Sequence, residues 1–212
     1  MTSAIAWPAL KRGLVAILRG VRPGEALAIV EALTIEGFEC AEIPLNSPDP
    51  LQSISLVART FGDRCLIGAG TVLSKDDVDR VVERGGRLIV SPNIDPDVIA
   101  RARACGVPSM PGVFTASEAI VALKAGASAL KFFPASALGP TGIAAIRAIL
   151  PLTTVVAAVG GVSDASFASY ARVGVSVFGL GTSLYKAGDT AADVRAKARA
   201  AVAAYDLAAA GA

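Results

Sequence analysis

No histidine occurs among the 212 residues. That absence removes the Ser/His/Asp and Cys/His nucleophilic mechanisms and the His-rich zinc sites that polarise carbonyl groups. Cysteine is scarce. Cys40, Cys65 and Cys105 are odd in number, far apart and without a CxxC pair, and each sits among apolar neighbours. They read as buried thiols of a protein kept in a reducing cytoplasm. Charge of one sign is also missing: 20 Lys plus Arg stand against 18 Asp plus Glu, interspersed along the chain. A net charge of +2 spread this way offers no electrostatic footprint for nucleic acid or an anionic membrane. Met1–Leu10 lacks the charged start and apolar core of a signal peptide, so no secretion is expected. The longest uncharged stretch, Ala148–Ser163, falls short of the roughly 18 residues of a membrane span and is broken by Pro151 and Gly160-Gly161.

What is present is apolar residue in quantity, 53% of the chain, arranged in short runs. Eight of strand length recur: Leu14–Leu18, Cys40–Ile43, Leu66–Ala69, Leu88–Ser91, Pro108–Pro111, Ala129–Phe132, Val155–Val159 and Val175–Leu180. Helix signals lie between them. Pro23 opens a helix before Glu25–Glu36, Ser74 caps Lys75–Arg84, and Asp95 precedes Pro96 at a first helical position. Thr115 with Glu118 forms a capping box, and Ser163 precedes Asp164–Val173. Gly37, Gly85, Gly106, Gly126 and Gly174 then stand where left-handed helix C-caps belong. Eight strand, loop, helix, glycine units with near-continuously apolar strands predict an α/β fold, a (β/α)8 TIM barrel, in a single domain over 1–212. An open doubly wound sheet is the other architecture this alternation allows. Any helix closing the barrel bottom is at most one or two turns within Ala4–Lys11. Ala191–Ala212 reads as the last helix, fraying after Asp206.

In such a barrel the chemistry stands at the C-terminal strand ends. Lys131, flanked by Leu130 and Phe132-Phe133, is a lysine in an apolar strand. Desolvation lowers an amine's pKa and makes it a nucleophile able to form a Schiff base with a ketone. The competing reading is a structural lysine paired with a carboxylate. Glu42 is the one carboxylate inside the eight strand cores, and serves either as that partner or as a general base. Arg19 at the end of the first strand can clamp a carboxylate or phosphate. Gly70-Thr71 offers a hydroxyl and a close backbone approach, as an ordinary glycine turn also would. Gly160-Gly161 after strand seven and Gly181-Thr182-Ser183 after strand eight fit a phosphate site built from backbone N–H groups at a helix N-terminus.

With those residues in view, the chain resembles the small class I aldolases that cleave 2-keto-3-deoxy-6-phospho sugar acids into pyruvate and glyceraldehyde 3-phosphate. The likeness runs nearly end to end, through Ala16–Gly20, Ala41–Pro48, Ile67–Val72, Ser91–Asn93, Leu130–Pro134 and Val159–Val162. Glu42-Ile-Pro-Leu-Asn-Ser47 resembles the 6-phosphogalactonate branch, whereas gluconate members usually carry Thr and Arg where this chain has Pro44 and Asn46. Lys131-Phe-Phe-Pro-Ala135 looks as much like the gluconate branch, so an aldolase for that epimer, or for both, is the alternative. The resemblance implies that Lys131 is the Schiff-base lysine and Glu42 the general acid/base. It gives Arg19 and Thr71 the substrate's carboxylate end and hydroxyls, and Gly160, Gly161, Gly181 and a following hydroxyl the phosphate. Family members commonly place Ser directly after that last glycine; here Thr182 and Ser183 follow, and both hydroxyls are candidates. It also implies a cytoplasmic homotrimer acting on small molecules, with no cofactor, metal, nucleic acid or membrane partner.

Two other function classes fit parts of the same pattern. A phosphosugar isomerase or synthase would share the glycine loops but usually uses paired carboxylates or a carboxylate with histidine or cysteine. A phosphometabolite-binding protein would have no use for a buried lysine.

Overall fold

Alternate residues of each strand face opposite sides, and in this chain both sides are apolar. The computed structural model describes residues 4–211. Its elements run β1 (Leu14–Ile17), α1 (Pro23–Ile35), β2 (Cys40–Pro44), α2 (Pro50–Phe61), β3 (Leu66–Gly70), α3 (Lys75–Glu83), β4 (Ile89–Val90) and α4 (Pro96–Ala104). Then follow β5 (Ser109–Met110), β6 (Gly112–Val113), α5 (Ala116–Ala125), β7 (Leu130–Phe132), α6 (Ala135–Arg147), β8 (Val156–Val159), α7 (Phe167–Ala171), β9 (Val177–Leu180) and α8 (Ala191–Ala210).

All strand pairs are parallel, in the order β5-β4-β3-β2-β1-β9-β8-β7-β6. β5 and β6 are separated only by Pro111, whose missing N–H interrupts the ladder. They are the two halves of one barrel strand. The first half pairs with β4 and the second with β7, so the sheet closes into the eight-stranded barrel that the eight apolar runs predict.

Two apolar clusters follow from the alternation. Outward residues such as Leu14, Ala16, Ile67, Leu130, Phe132 and Phe178 pack beneath the helices. Inward residues, among them Val15, Ile17, Cys40, Leu88, Met110, Ala157 and Val177, fill the lower interior. Residues 4–10 form no helix; the barrel bottom is covered instead by an irregular segment whose Trp7 and Leu10 pack on the inner cluster.

The expected caps form. Ser74 and Asp95 accept from backbone N–H groups of their first turns, and Thr115 with Glu118 closes a capping box. The five C-terminal glycines all have φ between +72 and +96°, and each ends its helix with the paired bonds of a Schellman motif, as in Gly37 N–H to Thr34 O and Phe38 N–H to Leu33 O. α8 runs on past Asp206 to Ala210 rather than fraying there, and Arg12 holds the Asp206 carboxylate with two bonds of 2.7 Å. Cys40 and Cys65 are buried, as expected, but Cys105 is only half-buried, at the end of α4 with its thiol 3.9 Å from Asp79 Oδ1. No helix among the described residues is long and apolar enough to cross a membrane.

Candidate active site

Glu42 stands on β2 two residues after inward-facing Cys40, and Lys131 on β7 two residues after inward-facing Ala129. Strand periodicity therefore turns both side chains into the barrel. Above them the interior is kept open by residues without side chains. At Gly70 a β-carbon would collide with the Glu42 carboxyl, and at Gly179 with Val159. A cavity of 380 Å³ results at the C-terminal strand ends, in the size range of small-molecule sites. Its wall takes Arg19, Glu42, Thr71, Lys131, Gly160, Gly161, Gly181 and Thr182 from six different strands or the loops after them.

Glu42 is 2% exposed, and its Oε2 has no hydrogen-bond partner. Burial pushes its carboxyl up to about 7, opposed by the positive charges of Lys131 and Arg19. Lys131 is 6% exposed. Burial lowers its amine below the ordinary lysine value, with Glu42 pulling the other way and Arg19 adding to the depression. Neither side chain takes part in a salt bridge among the described residues. The two face a common space rather than closing on each other, which disfavours the reading of a satisfied structural pair. A carboxyl poised near neutrality beside an amine with weakened basicity can exchange protons with a bound molecule.

Arg19 leaves the end of β1 and donates through Nη1 to Asn46 Oδ1 at 2.6 Å. The same loop is fastened below by Gly20 N–H to Ser47 Oγ at 2.9 Å. Thr71, the residue after β3, lies in the left-handed region at φ +57°. That conformation costs a β-branched residue on the order of 1–3 kcal/mol, and such strain collects at functional sites. The loop it begins is tied to the next one by Ser91 Oγ donating to Val72 O at 2.8 Å.

Gly160 and Gly161 turn sharply at φ +88° and +73°. A β-carbon on Gly161 would come within 2.5 Å of Ser136, so that turn needs glycine twice over. Gly181 and Thr182 complete the cavity beside them. Ser183 does not reach it. Its Oγ donates to Val162 O at 3.0 Å, and the residue borders a separate small cleft with Lys197 and Asp164. The expected helix N-terminus is also reduced. After β8 there is a three-residue 3-10 turn, Asp164–Ser166, before the short α7, and no helix directly follows β9.

Ile17, Pro92, Phe133, Val159, Val162 and Gly179, none of which has a role assigned from sequence, also line the cavity. The signal for three of them was alternation by two: Ile17 precedes Arg19, Val159 follows Ala157, and Phe133 follows Lys131. The Phe133 ring lies under the lysine, its centroid 4.8 Å from Nζ.

The family model for KDPG and KHG aldolase matches residues 9–199. A protein of Rhizobium meliloti (strain 1021) named "Probable 2-dehydro-3-deoxy-6-phosphogalactonate aldolase" is 57% identical over 199 residues, covering 94% of each chain. The 2-dehydro-3-deoxy-6-phosphogalactonate aldolase of Escherichia coli (strain K12) is 49% identical over 195 residues, 92% of this chain and 95% of that one. A solved structure described as native KDPGal superposes with a TM-score of 0.94 at 48% identity, covering 96% of this chain and 98% of the other. The chain belongs to the KDPG and KHG aldolase family.

Proposed function

We propose that this protein is a class I aldolase that cleaves 2-dehydro-3-deoxy-6-phosphogalactonate into pyruvate and D-glyceraldehyde 3-phosphate. The observation that carries the reading is one cavity holding a buried lysine of lowered basicity and a buried carboxyl with an unpartnered oxygen. The family and the names of its similar members support the substrate.

Lys131 attacks the C2 ketone and forms a protonated imine, which draws electrons from the C3–C4 bond. Glu42, directly or through a water, takes the C4 hydroxyl proton as that bond breaks and the aldehyde leaves. Protonation of the enamine and hydrolysis of the imine release pyruvate. Arg19 and Thr71 hold the carboxylate end and hydroxyls, and Gly160, Gly161, Gly181 and Thr182 hold the phosphate. A homotrimer in the cytoplasm is the assembly and place the family resemblance supports.

The test is pyruvate release from the galactonate and gluconate epimers side by side, with chelator present. Preference for the galactonate form is expected, together with borohydride trapping of pyruvate on wild-type protein and none on Lys131→Ala. Equal or reversed preference moves the protein to the other branch, and failure to trap pyruvate removes the lysine mechanism.

A further inference from the structure

Lys131 Nζ lies over the face of the Phe133 ring, 4.8 Å from its centroid. The two residues are two apart at the end of β7 and point to the same side, while Phe132 between them is fully buried beneath the helices. Phe133 belongs to neither apolar cluster and is 37% exposed on the cavity wall. Packing of the core therefore does not account for a phenyl ring there. Gly160 on the neighbouring turn makes the space for it: a β-carbon at that position would sit 3.1 Å from ring atoms Cδ2 and Cε2.

We propose that the Phe133 ring is a catalytic group, its negative face stabilising the positive charge that Lys131 Nζ acquires on condensing with the substrate ketone. The inference rests on the aldolase reading and deepens it. The neutral amine adds through its lone pair to the C2 carbonyl carbon, and one of its protons moves to the oxygen. A further proton, taken from solvent, lets that oxygen leave as water, so the C=N nitrogen keeps one hydrogen and carries one positive charge. The charged groups acting on Nζ are Glu42 on β2, which favours the cation, and Arg19 after β1, which opposes it. With water largely excluded, the ring face supplies attraction that hydration no longer provides, and a desolvated cation gains more from such a face than an exposed one.

The decisive experiment places phenylalanine and its monofluoro, difluoro and pentafluoro analogues at position 133. Fluorine drains the negative face at nearly constant shape. The readout is the pH midpoint of the alkaline limb of borohydride trapping at saturating pyruvate, where the imine loses the proton that makes it reducible. That midpoint should fall stepwise, by about one pH unit (a tenfold loss of the cationic imine) at the pentafluoro ring, with the thermal midpoint unchanged. Four proteins that trap pyruvate alike would make the ring a passive wall and overturn the proposal. If the protein with ordinary phenylalanine traps no pyruvate, the aldolase reading and this proposal fall together.

Discussion

The Glu42 carboxyl rests on the backbone of Gly70, in the volume a β-carbon at position 70 would fill. β2 and β3 are paired in parallel with Pro44 opposite Gly70, so the glutamate leans along its strand toward the cavity mouth and meets a residue with nothing to obstruct it. The Gly70 backbone is outside the left-handed region, and alanine there meets no conformational strain. Gly70→Ala therefore acts by displacing the carboxyl. We expect kcat to fall about a hundredfold, the order that misplacing a reacting group by an ångström produces. Overpacking should cost about 1–3 kcal/mol of stability, and pyruvate trapping on Lys131 should survive. Steady-state rates beside borohydride trapping check this; an undiminished kcat would detach Gly70 from the chemistry.

The raised carboxyl of Glu42 links stability to pH. Folding moves it from 4.5 to about 7, so the folded state favours the protonated form. The stability this contributes is fully present below pH 4.5 and is lost as pH rises through about 7, a change on the order of 3 kcal/mol. Glu42→Gln, neutral at every pH, should lack that decline and be more stable than wild type at pH 8. The same variant should form the pyruvate imine and fail in carbon–carbon cleavage. Thermal midpoints of both proteins from pH 4 to pH 8 give the comparison, and parallel curves would refute the linkage.

Much of this site is legible in residue spacing. Eight apolar runs define the barrel, and a lysine and a glutamate within two of them reach the interior because strand side chains alternate. The same alternation applied to residue 133 points to the ring beneath the lysine. What spacing does not carry is the destination of a loop hydroxyl: Thr182 and Ser183 are equivalent candidates until the β9 loop is folded against Val162. Nor does composition foretell that Arg12 pins the end of α8 from the barrel bottom, since that contact joins residues 194 apart. Thr71 in the left-handed region is equally silent in sequence, being a residue that ordinary turn preferences keep out of it.

Asn46 braces Arg19. Its Oδ1 accepts from Nη1 at 2.6 Å, holding a long exposed side chain in one of many rotamers. Asn46→Ala should free the guanidinium and raise KM for the sugar acid by about three- to tenfold, with kcat changed less, because ground state and transition state lose the same contact. Arg19→Ala should raise KM further, and adding Asn46→Ala to it should do nothing more. Additive effects in that double-mutant cycle would show that Asn46 touches the substrate itself.

The two hydroxyls after Gly181 belong to residues in different surroundings. Thr182 borders the cavity, whereas Ser183 Oγ ties the β9 loop to the turn after β8 through Val162 O. Thr182→Ala should raise KM for the phosphorylated substrate by about tenfold while leaving KM for a non-phosphorylated keto-deoxy acid unchanged. Ser183→Ala should lower stability by about 1 kcal/mol and affect both substrates alike, since it loosens the loop without removing a ligand contact. Running both variants against both substrates separates the roles. A phosphate-selective loss in Ser183→Ala would mean that the hydroxyl leaves Val162 when substrate binds.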